Sequence, residues 1–194
     1  MKNIRKKTKK ENSQIILIID TSYKKNSLFK DEFCIPIANI IQQISNTNFE
    51  IKHYLEKINF QEFDKIIIAG SALKEFEYLN HLEKFEFLKN MNIPILGICA
   101  GMQIIAKVYG TNLKKCEEIE ITKTITTKNN KLFESEFETY SIHNYSIALP
   151  KEFEIIAKSK KGIHAIKHKE KEIYGVLFHP EIKNKEIIVN FINL

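Results

Sequence analysis

One short segment of this chain has the residue types and spacing of a nucleophilic site. Residues 94–103 combine an apolar strand, a Gly-x-Cys-x-Gly turn centred on Cys99, and the start of a helix. A sharp strand-to-helix turn pushes its central side chain outward, and the two glycines leave room where strand and helix crowd. The positive end of the helix favours a thiolate, and the N–H of Ala100 points to where an oxyanion would form. The pattern favours a nucleophilic Cys99 over a small apolar residue that ends a core strand.

A second segment, far downstream, supplies the base that such a thiol needs. His179 ends an apolar strand, Pro180 follows it, and Glu181 lies two residues on. A thiol nucleophile requires a group that takes and returns its proton, and that group needs a third residue to fix its tautomer. The spacing predicts that His179 and Glu181 fill these two roles. Four other histidines lie among charged or exposed-looking residues and receive no role: His53, His81, His164 and His168.

The elements that must position these residues alternate between strand and helix. Short apolar runs rich in Ile predict buried strands, and helical spacing of apolar residues predicts helices, with Pro36 acceptable only in a first turn. The predicted strands are 15–20, 49–55, 65–70 and 94–99, and the predicted helices are 31–46, 76–90 and 100–109. This alternation indicates βαβ units, a parallel sheet and an α/β fold.

The pattern changes beyond Gly110, where strands dominate. We expect strands at 119–127, 138–148 and 153–159, a hairpin formed by 164–168 and 173–178, and a final helix at 185–194. No linker rich in Pro, Gly or Ser divides the chain. We therefore expect a single domain over 14–194, preceded by a disordered basic tail over 1–13.

Charge and composition exclude several classes of function. The net charge is +6 and the pI about 9.0, but residues 1–14 hold six basic side chains against one acidic, which leaves a nearly neutral body. The tail has no aromatic residue and the body no Arg, which argues against nucleic acid as a partner. Three widely spaced cysteines form no CxxC pair and no readable disulfide framework, as expected in a reducing cytoplasm. No apolar run approaches the roughly 20 residues that span a membrane.

Together these residues resemble the class I glutamine amidotransferases. That family has a Gly-x-Cys-x-Gly-x-Gln elbow and a His-Pro-Glu sequence near its C-terminus, and both motifs are intact here. The resemblance extends from Gln14 to Leu194. The resemblance implies a flavodoxin-like α/β fold, in which helices flank a mostly parallel central sheet and a strand-rich hairpin portion is added after it. It implies that Cys99 attacks the side-chain amide of L-glutamine, that His179 is the acid and base, and that Glu181 orients it. The products would be glutamate and ammonia, through a γ-glutamyl thioester, with no metal or organic cofactor.

Two further motifs match the family less closely. The family's oxyanion strand ends in Gly-Gly-Pro, and here Gly70 is followed by Ser71 and Ala72. Because the donor is a backbone N–H, the resemblance still assigns the oxyanion hole to Gly70 and Ser71 together with Ala100. Residues 141–145 resemble the loop that holds the α-groups of glutamine, which implies that substrate is contacted by the following four residues: Asn144, Tyr145, Gln103 and Met102.

The C-terminal third of the chain resembles one particular subgroup of this family. Residues 164–168 and 173–181 are similar to the glutaminase subunit of archaeal two-subunit GMP synthetases, which implies a separate ATP-dependent partner of the ATP-pyrophosphatase type. This chain contains no phosphate-binding loop of its own. Two stretches differ from that glutaminase: the usual acid is missing from 144–146, and a His-Thr pair is replaced in 182–184. An amidotransferase that serves another synthetase, of the anthranilate or aminobenzoate type, and a γ-glutamyl hydrolase therefore remain open.

Overall fold

The computed structural model describes residues 13–194, and within them nine strands form one continuous sheet. The strands are β1 (Gln14–Asp20), β2 (Thr47–His53), β3 (Lys65–Ile68), β4 (Ile95–Ile98), β5 (Leu113–Thr126), β6 (Glu136–Ile147), β7 (Phe153–Ser159), β8 (Gly162–His168) and β9 (Ile173–Val176). Their order across the sheet is β2-β1-β3-β4-β9-β8-β7-β5-β6. Residues 1–12 lie outside the described part of the chain, so the disordered tail stays a prediction.

The first half of the sheet is parallel, as the alternation of strands and helices predicts. Strands β2, β1, β3, β4 and β9 pair in parallel. Strands β3, β4 and β9 are buried along their whole length, which is why they consist of nearly uninterrupted apolar residues. The α/β class and the family fold expected from the sequence are confirmed by this topology and by the structural relatives described below.

Helices cover both faces of the parallel strands. Helix α1 (Leu28–Ile41) and helix α4 (Glu186–Ile192) pack with alternate strand residues such as Ile16 and Ile18 in one apolar cluster. Helices α2 (Phe87–Asn90) and α3 (Ala100–Val108) pack with the intervening residues, such as Leu17, in a second cluster. The sheet therefore has an apolar core on each side. No helix within residues 13–194 is long and apolar enough to cross a bilayer.

Helix α1 begins three residues earlier than predicted and contains Pro36 in its interior. The hydroxyl of Ser27 accepts a hydrogen bond from the N–H of Phe29 and caps the helix. Pro36 lies beyond the first turn, the only part of a helix where the sequence makes proline acceptable. Proline there removes one N–H donor, but Ile37, Ile40 and Ile41 are buried against the sheet, and this packing holds the helix despite the missing bond.

Residues 76–90 do not form the single α-helix that their pattern predicts. They form a 3₁₀ segment (Glu77–Phe85) with a kink at His81, followed by the short α2. The apolar positions 79, 82, 85 and 88 recur every third residue, and this is the period of a 3₁₀-helix rather than that of an α-helix. The spacing was therefore a signal for the tighter helix.

The strand-rich second half extends the sheet instead of packing on it as a separate layer. Strands β8, β7, β5 and β6 continue from β9 with antiparallel pairing. The predicted hairpin is present, with Ala165 opposite Val176. Strand β5 begins six residues earlier than predicted, because residues 113–118 also pair with β6.

Candidate active site

The residues singled out by sequence meet at one edge of the sheet. Cys99 directly follows β4, Gly70 and Ser71 follow its neighbour β3, and His179 lies just after its other neighbour β9. These three strands are adjacent and parallel, so their carboxyl ends open onto the same crevice, where ligands bind in open α/β sheets. Residues far apart in the chain are thereby brought together.

The backbone at Cys99 has the strained conformation that the elbow predicts. Its φ is 48° and its ψ −100°, and α3 starts at the next residue. Such a conformation costs about 1–3 kcal/mol and persists only where the surroundings enforce it. Here β4 and α3 pack so closely that a Cβ on Gly97 would lie 2.6 Å from the backbone of Gly101, and one on Gly101 would lie 2.4 Å from the carbonyl oxygen of Ile68. Glycine is required on both sides of the turn.

His179 and Glu181 form a buried pair whose geometry fixes the tautomer. The Nδ1 of His179 lies 2.7 Å from Oε1 of Glu181, so Nδ1 carries the proton that the carboxylate accepts. The Nε2 of His179 is buried and makes no hydrogen bond to any residue in the described range. Burial opposes the charged ring, but the charges of Glu181 and Cys99 outweigh this effect, and the pKa of His179 lies well above its ordinary value. An imidazole in this state can donate a proton from Nε2.

The peptide after β3 is oriented by a residue that the sequence did not indicate. The hydroxyl of Thr21, just after β1, donates to the carbonyl oxygen of Gly70 at 2.8 Å. Since the C=O and N–H of a trans peptide point in opposite directions, this bond turns the N–H of Ser71 away from Thr21. The φ of Ser71 is not positive, so serine fits where the family has glycine. Its hydroxyl donates to Glu75 at 2.9 Å.

A narrow cleft runs from Cys99 between the 3₁₀ segment and β6. Ser71, Cys99, Ala100, Gln103 and Asn144 are among its lining residues. The thiol of Cys99 lies 3.7 Å from the carbonyl oxygen of Ile142. The amide of Asn144 donates to the carbonyl of Leu73 at 3.0 Å and ties β6 to the loop after β3. The cleft thus holds a thiol at a helix N-terminus, and His179, whose pKa that thiol helps to raise, lies close by. These groups suit acyl transfer through a thioester.

Comparison with known proteins decides the family. The model of the class-I glutamine amidotransferase family matches residues 34–192, more than half of the chain. The chain belongs to the class I glutamine amidotransferases. It is therefore an enzyme of the type that the elbow and the His-Pro-Glu sequence predict.

Three of its relatives are named as glutamine-hydrolyzing GMP synthases or subunits of one. The amidotransferase is 34% identical over 180 residues to the glutamine-hydrolyzing GMP synthase subunit of Methanosphaera stadtmanae, covering 78% of this chain and 94% of that one. It is 42% identical over 104 residues to the corresponding subunit of Methanococcus maripaludis, covering 50% of this chain and 55% of the relative. Against the glutamine-hydrolyzing GMP synthase of Borreliella burgdorferi it is 33% identical over 198 residues, 93% of this chain and 36% of that longer protein.

Solved structures share the fold. The crystal structure of a candidate GMP synthase subunit from Thermoplasma acidophilum matches with a TM-score of 0.80 and 25% identity, covering 93% of both chains. A glutamine amidotransferase from Thermotoga maritima matches with a TM-score of 0.71 and 20% identity, covering 93% of this chain and 81% of that one. The second likeness concerns the fold alone.

The four predicted substrate contacts of this amidotransferase have different surroundings. Gln103 lines the cleft, but its amide is held between the hydroxyl of Tyr78 at 2.7 Å and the carbonyl of Tyr145 at 3.0 Å. The ring of Tyr145 packs edge-on against Phe76 in the wider mouth beside the cleft. The side chain of Met102 is fully buried and lies beside Gly175 of β9, so its contact with substrate stays a prediction.

Several residues of the site gave no sequence signal that could be used. Thr21 and Tyr78 act through hydrogen bonds to partners 49 and 25 positions away, which no local pattern reveals. The histidines thought to be exposed are mostly buried: His53, His164 and His168 are each less than 9% exposed. The ring of His53 bonds the carbonyl of Ser22, and Nδ1 of His164 bonds the hydroxyl of Thr124. Nδ1 of His168 accepts from the backbone N–H of Glu170.

Gly70 offers a test of the packing behind His179. A Cβ at this position would lie 2.8 Å from Cε1 of the His179 ring and 3.1 Å from the ring of Phe33. In Gly70→Ala we expect the imidazole to be displaced and glutamine hydrolysis to fall by about 100-fold, since misplacement by about 1 Å can cost that much. Steady-state ammonia release measures this. Gly110→Asn, at a turn with open space and a positive φ that asparagine tolerates, is the control; an equal loss there, or none at Gly70, would contradict the packing argument.

Proposed function

We propose that this amidotransferase hydrolyses L-glutamine with the triad Cys99, His179 and Glu181 and delivers the ammonia to a separate synthetase that makes GMP. The observation that carries the first part is the buried His179–Glu181 pair at 2.7 Å beside the strained turn of Cys99. The GMP assignment rests on the 34% identity to a GMP synthase subunit over nearly its whole length. No further cofactor is part of the proposal.

The geometry supports a two-step reaction. The thiolate of Cys99 attacks the side-chain amide carbon of glutamine, and the tetrahedral oxyanion lies among the N–H groups of Ala100, Ser71 and Gly70. The protonated Nε2 of His179 gives its proton to the departing amine, so that ammonia leaves and a γ-glutamyl thioester remains. A water molecule, losing a proton to His179, then attacks the thioester and releases glutamate and free thiol.

The positions of the oxyanion donors support this assignment. Ala100 is the first residue of α3, so its N–H has no carbonyl partner within the helix. The bond from Thr21 to the carbonyl of Gly70 directs the Ser71 N–H to the other side of its peptide plane. Replacing glycine by serine and proline by alanine at 71 and 72 leaves this arrangement in place, because the donor is a backbone group.

The partner and the compartment follow from the same reasoning. The relatives are named as one subunit of GMP synthase, which implies a second subunit for them, and we propose the same for this chain, with an ATP-pyrophosphatase-type synthetase. Residues 14–194 would then act as one amidotransferase domain. The three cysteines are all free thiols, which fits the cytoplasm.

A substrate comparison tests the reaction. With purified protein we expect glutamate and ammonia from glutamine, and GMP from XMP and ATP once the synthetase encoded in the same genome is added. Ammonium chloride in place of glutamine and this chain is the control, since it bypasses the amidotransferase. Cleavage of γ-glutamyl peptides with glutamine left intact would instead indicate a γ-glutamyl hydrolase. Glutamine hydrolysis that never yields GMP, but yields anthranilate or aminobenzoate with another synthetase, would reassign the acceptor.

A further inference from the structure

Three side chains that the proposed reaction does not use converge inside the antiparallel half of the sheet. Glu118 on β5, His143 on β6 and His164 on β8 are each no more than 2% exposed. One potential ligand atom from each lies within 4.8 Å of the others. Two imidazoles and a carboxylate form a frequent ligand set for zinc in proteins.

Both imidazoles direct the same atom, Nε2, toward one carboxylate oxygen. The Oε2 of Glu118 lies 2.8 Å from Nε2 of His164 and 3.2 Å from Nε2 of His143. The Nε2 of His143 nevertheless makes no hydrogen bond of acceptable geometry to any described residue, although it is buried. A buried polar atom without a partner is uncommon in folded proteins and calls for an explanation.

The outer bond of His143 fixes its tautomer. Its Nδ1 lies 3.0 Å from the backbone carbonyl of Cys116, and a carbonyl can only accept, so Nδ1 carries a proton. In the neutral ring, Nε2 therefore presents a lone pair toward Glu118.

A chain of hydroxyl groups fixes the tautomer of His164 in the same way. Thr139 donates to the carbonyl of Thr122 at 3.3 Å, so its oxygen accepts from Thr124 at 3.0 Å. Thr124 has then used its only proton and must accept from Nδ1 of His164 at 2.8 Å. The neutral ring of His164 also presents the lone pair of Nε2 to the centre of the cluster.

A cation among the three groups satisfies all of these atoms together. Without one, each Nε2 must either gain a proton or face a carboxylate with its lone pair, and His143 is badly oriented for donating such a proton. A metal ion needs only converging lone pairs. Each ligand also has the outer partner typical of metal sites: a carbonyl for His143, a hydroxyl for His164, and the hydroxyl of Ser159 at 3.4 Å for Glu118.

We propose that Glu118, His143 and His164 bind one Zn²⁺ ion. Tetrahedral zinc with bonds of about 2.0–2.2 Å places its ligand atoms about 3.2–3.5 Å apart, and the separations of 2.8 and 3.2 Å need only a small expansion. This departs from the expectation, drawn from the family resemblance, that the chain uses no metal.

The ion would lie directly behind the glutamine cleft. Its ligand His143 stands on β6 between Ile142, whose carbonyl faces the thiol of Cys99, and Asn144, which lines the cleft. Zinc would clamp this stretch of β6 to β5 and β8. Its role is to position the cleft wall, and no step of glutamine hydrolysis passes through it.

Zinc binding by the full chain tests the proposal directly. All measurements use Cys99→Ala as background, because the thiol and imidazole of the cleft also attract zinc. The protein is dialysed against a chelator, and zinc chloride is then added. Elemental analysis measures the zinc content of the protein, and competition with a chromophoric chelator measures its affinity for zinc. We expect one zinc per chain and a melting temperature raised by about 5–10 °C at 100 times the dissociation constant.

Variants locate the ion. His164→Gln should lose the bound zinc, and Thr124→Val, which keeps all three ligands, should weaken binding by about 10- to 100-fold. His81→Gln is the matched control, because His81 lies 3.6 Å from Glu77 and from Glu83 near the surface and is the obvious place for adventitious binding. Zinc retained at full affinity in Thr124→Val, zinc lost in His81→Gln, or no stoichiometric zinc at all would overturn the proposal.

Discussion

Replacing Cys99 with alanine lowers glutamine hydrolysis by at least about 10⁴-fold, with the fold intact. The thiol is the only group in the described cleft placed at both a helix N-terminus and a strained strand-to-helix turn. Without it no γ-glutamyl thioester forms, and the remaining oxyanion donors and His179 can only assist direct attack by water. Losses of about 10⁶-fold follow removal of a nucleophile in comparable triads.

The matched control is the same substitution at Cys34. That thiol is fully buried in α1, and burial together with the nearby Asp20 carboxylate raises its pKa far above the ordinary range, so it stays protonated. Cys34→Ala should keep full activity while losing some stability. Ammonia release and trapping of the thioester by hydroxylamine are measured for both variants. Residual turnover above about 1% in Cys99→Ala, or loss of turnover in Cys34→Ala, would refute the assignment of the nucleophile.

The sequence was most informative where chemistry and fold depend on neighbours along the chain. The elbow needs a strand, two glycines and a helix within ten residues, and Gly97, Cys99 and Gly101 have the close packing and the backbone strain that the pattern predicts. The pair His179 and Glu181 is likewise local, two residues apart. Because both segments lie at the ends of strands in one parallel sheet, we expect them to meet at the carboxyl edge of that sheet.

The parts that the sequence did not reveal depend on contacts across the sheet. Thr21 orients the peptide of Gly70 from the end of another strand. Glu118 on β5 meets His143 on the paired strand β6 and His164 on β8, a strand that pairs with β7 and β9. The pairing and register of these strands fix which polar residues face inward. Three histidines to which the sequence assigned no role, His53, His164 and His168, are buried on strands, because alternation along a strand places neighbours on opposite faces.

Glu181→Gln is expected to lower kcat by about 10³- to 10⁴-fold while the protein stays folded. The carboxylate holds the proton on Nδ1 of His179 at 2.7 Å and stabilises the imidazolium. An amide at 181 can offer its N–H to Nδ1, which selects the wrong tautomer, and it supplies no compensating charge. Substitution of the carboxylate in a related triad by an amide costs about 10⁴-fold for this reason.

The same variant has a second readout in the pH dependence of stability. In the folded protein the pKa of His179 is raised above its unfolded value of about 6.5, because the charges of Glu181 and Cys99 outweigh the effect of burial. Protonation of His179 therefore stabilises the fold fully below about pH 6.5, and this stabilisation is lost as the pH rises through the folded pKa. Removing the Glu181 charge lowers that folded pKa, so the stabilisation is smaller and its loss is complete at a lower pH.

Urea unfolding across neutral and alkaline pH separates this effect from a general loss of structure. The control is Glu172→Gln, because Glu172 also bonds a side chain two residues away, the hydroxyl of Tyr174 at 2.6 Å, but lies outside the cleft. We expect Glu172→Gln to keep both the activity and the loss of stability at alkaline pH that the deprotonation of His179 causes. If Glu181→Gln retained the wild-type pH profile of unfolding, Glu181 would not be the charge that raises the pKa of His179. Its effect on kcat would then have to come from positioning alone, and Glu181→Asp, which keeps the charge but shortens the side chain, would not restore the rate.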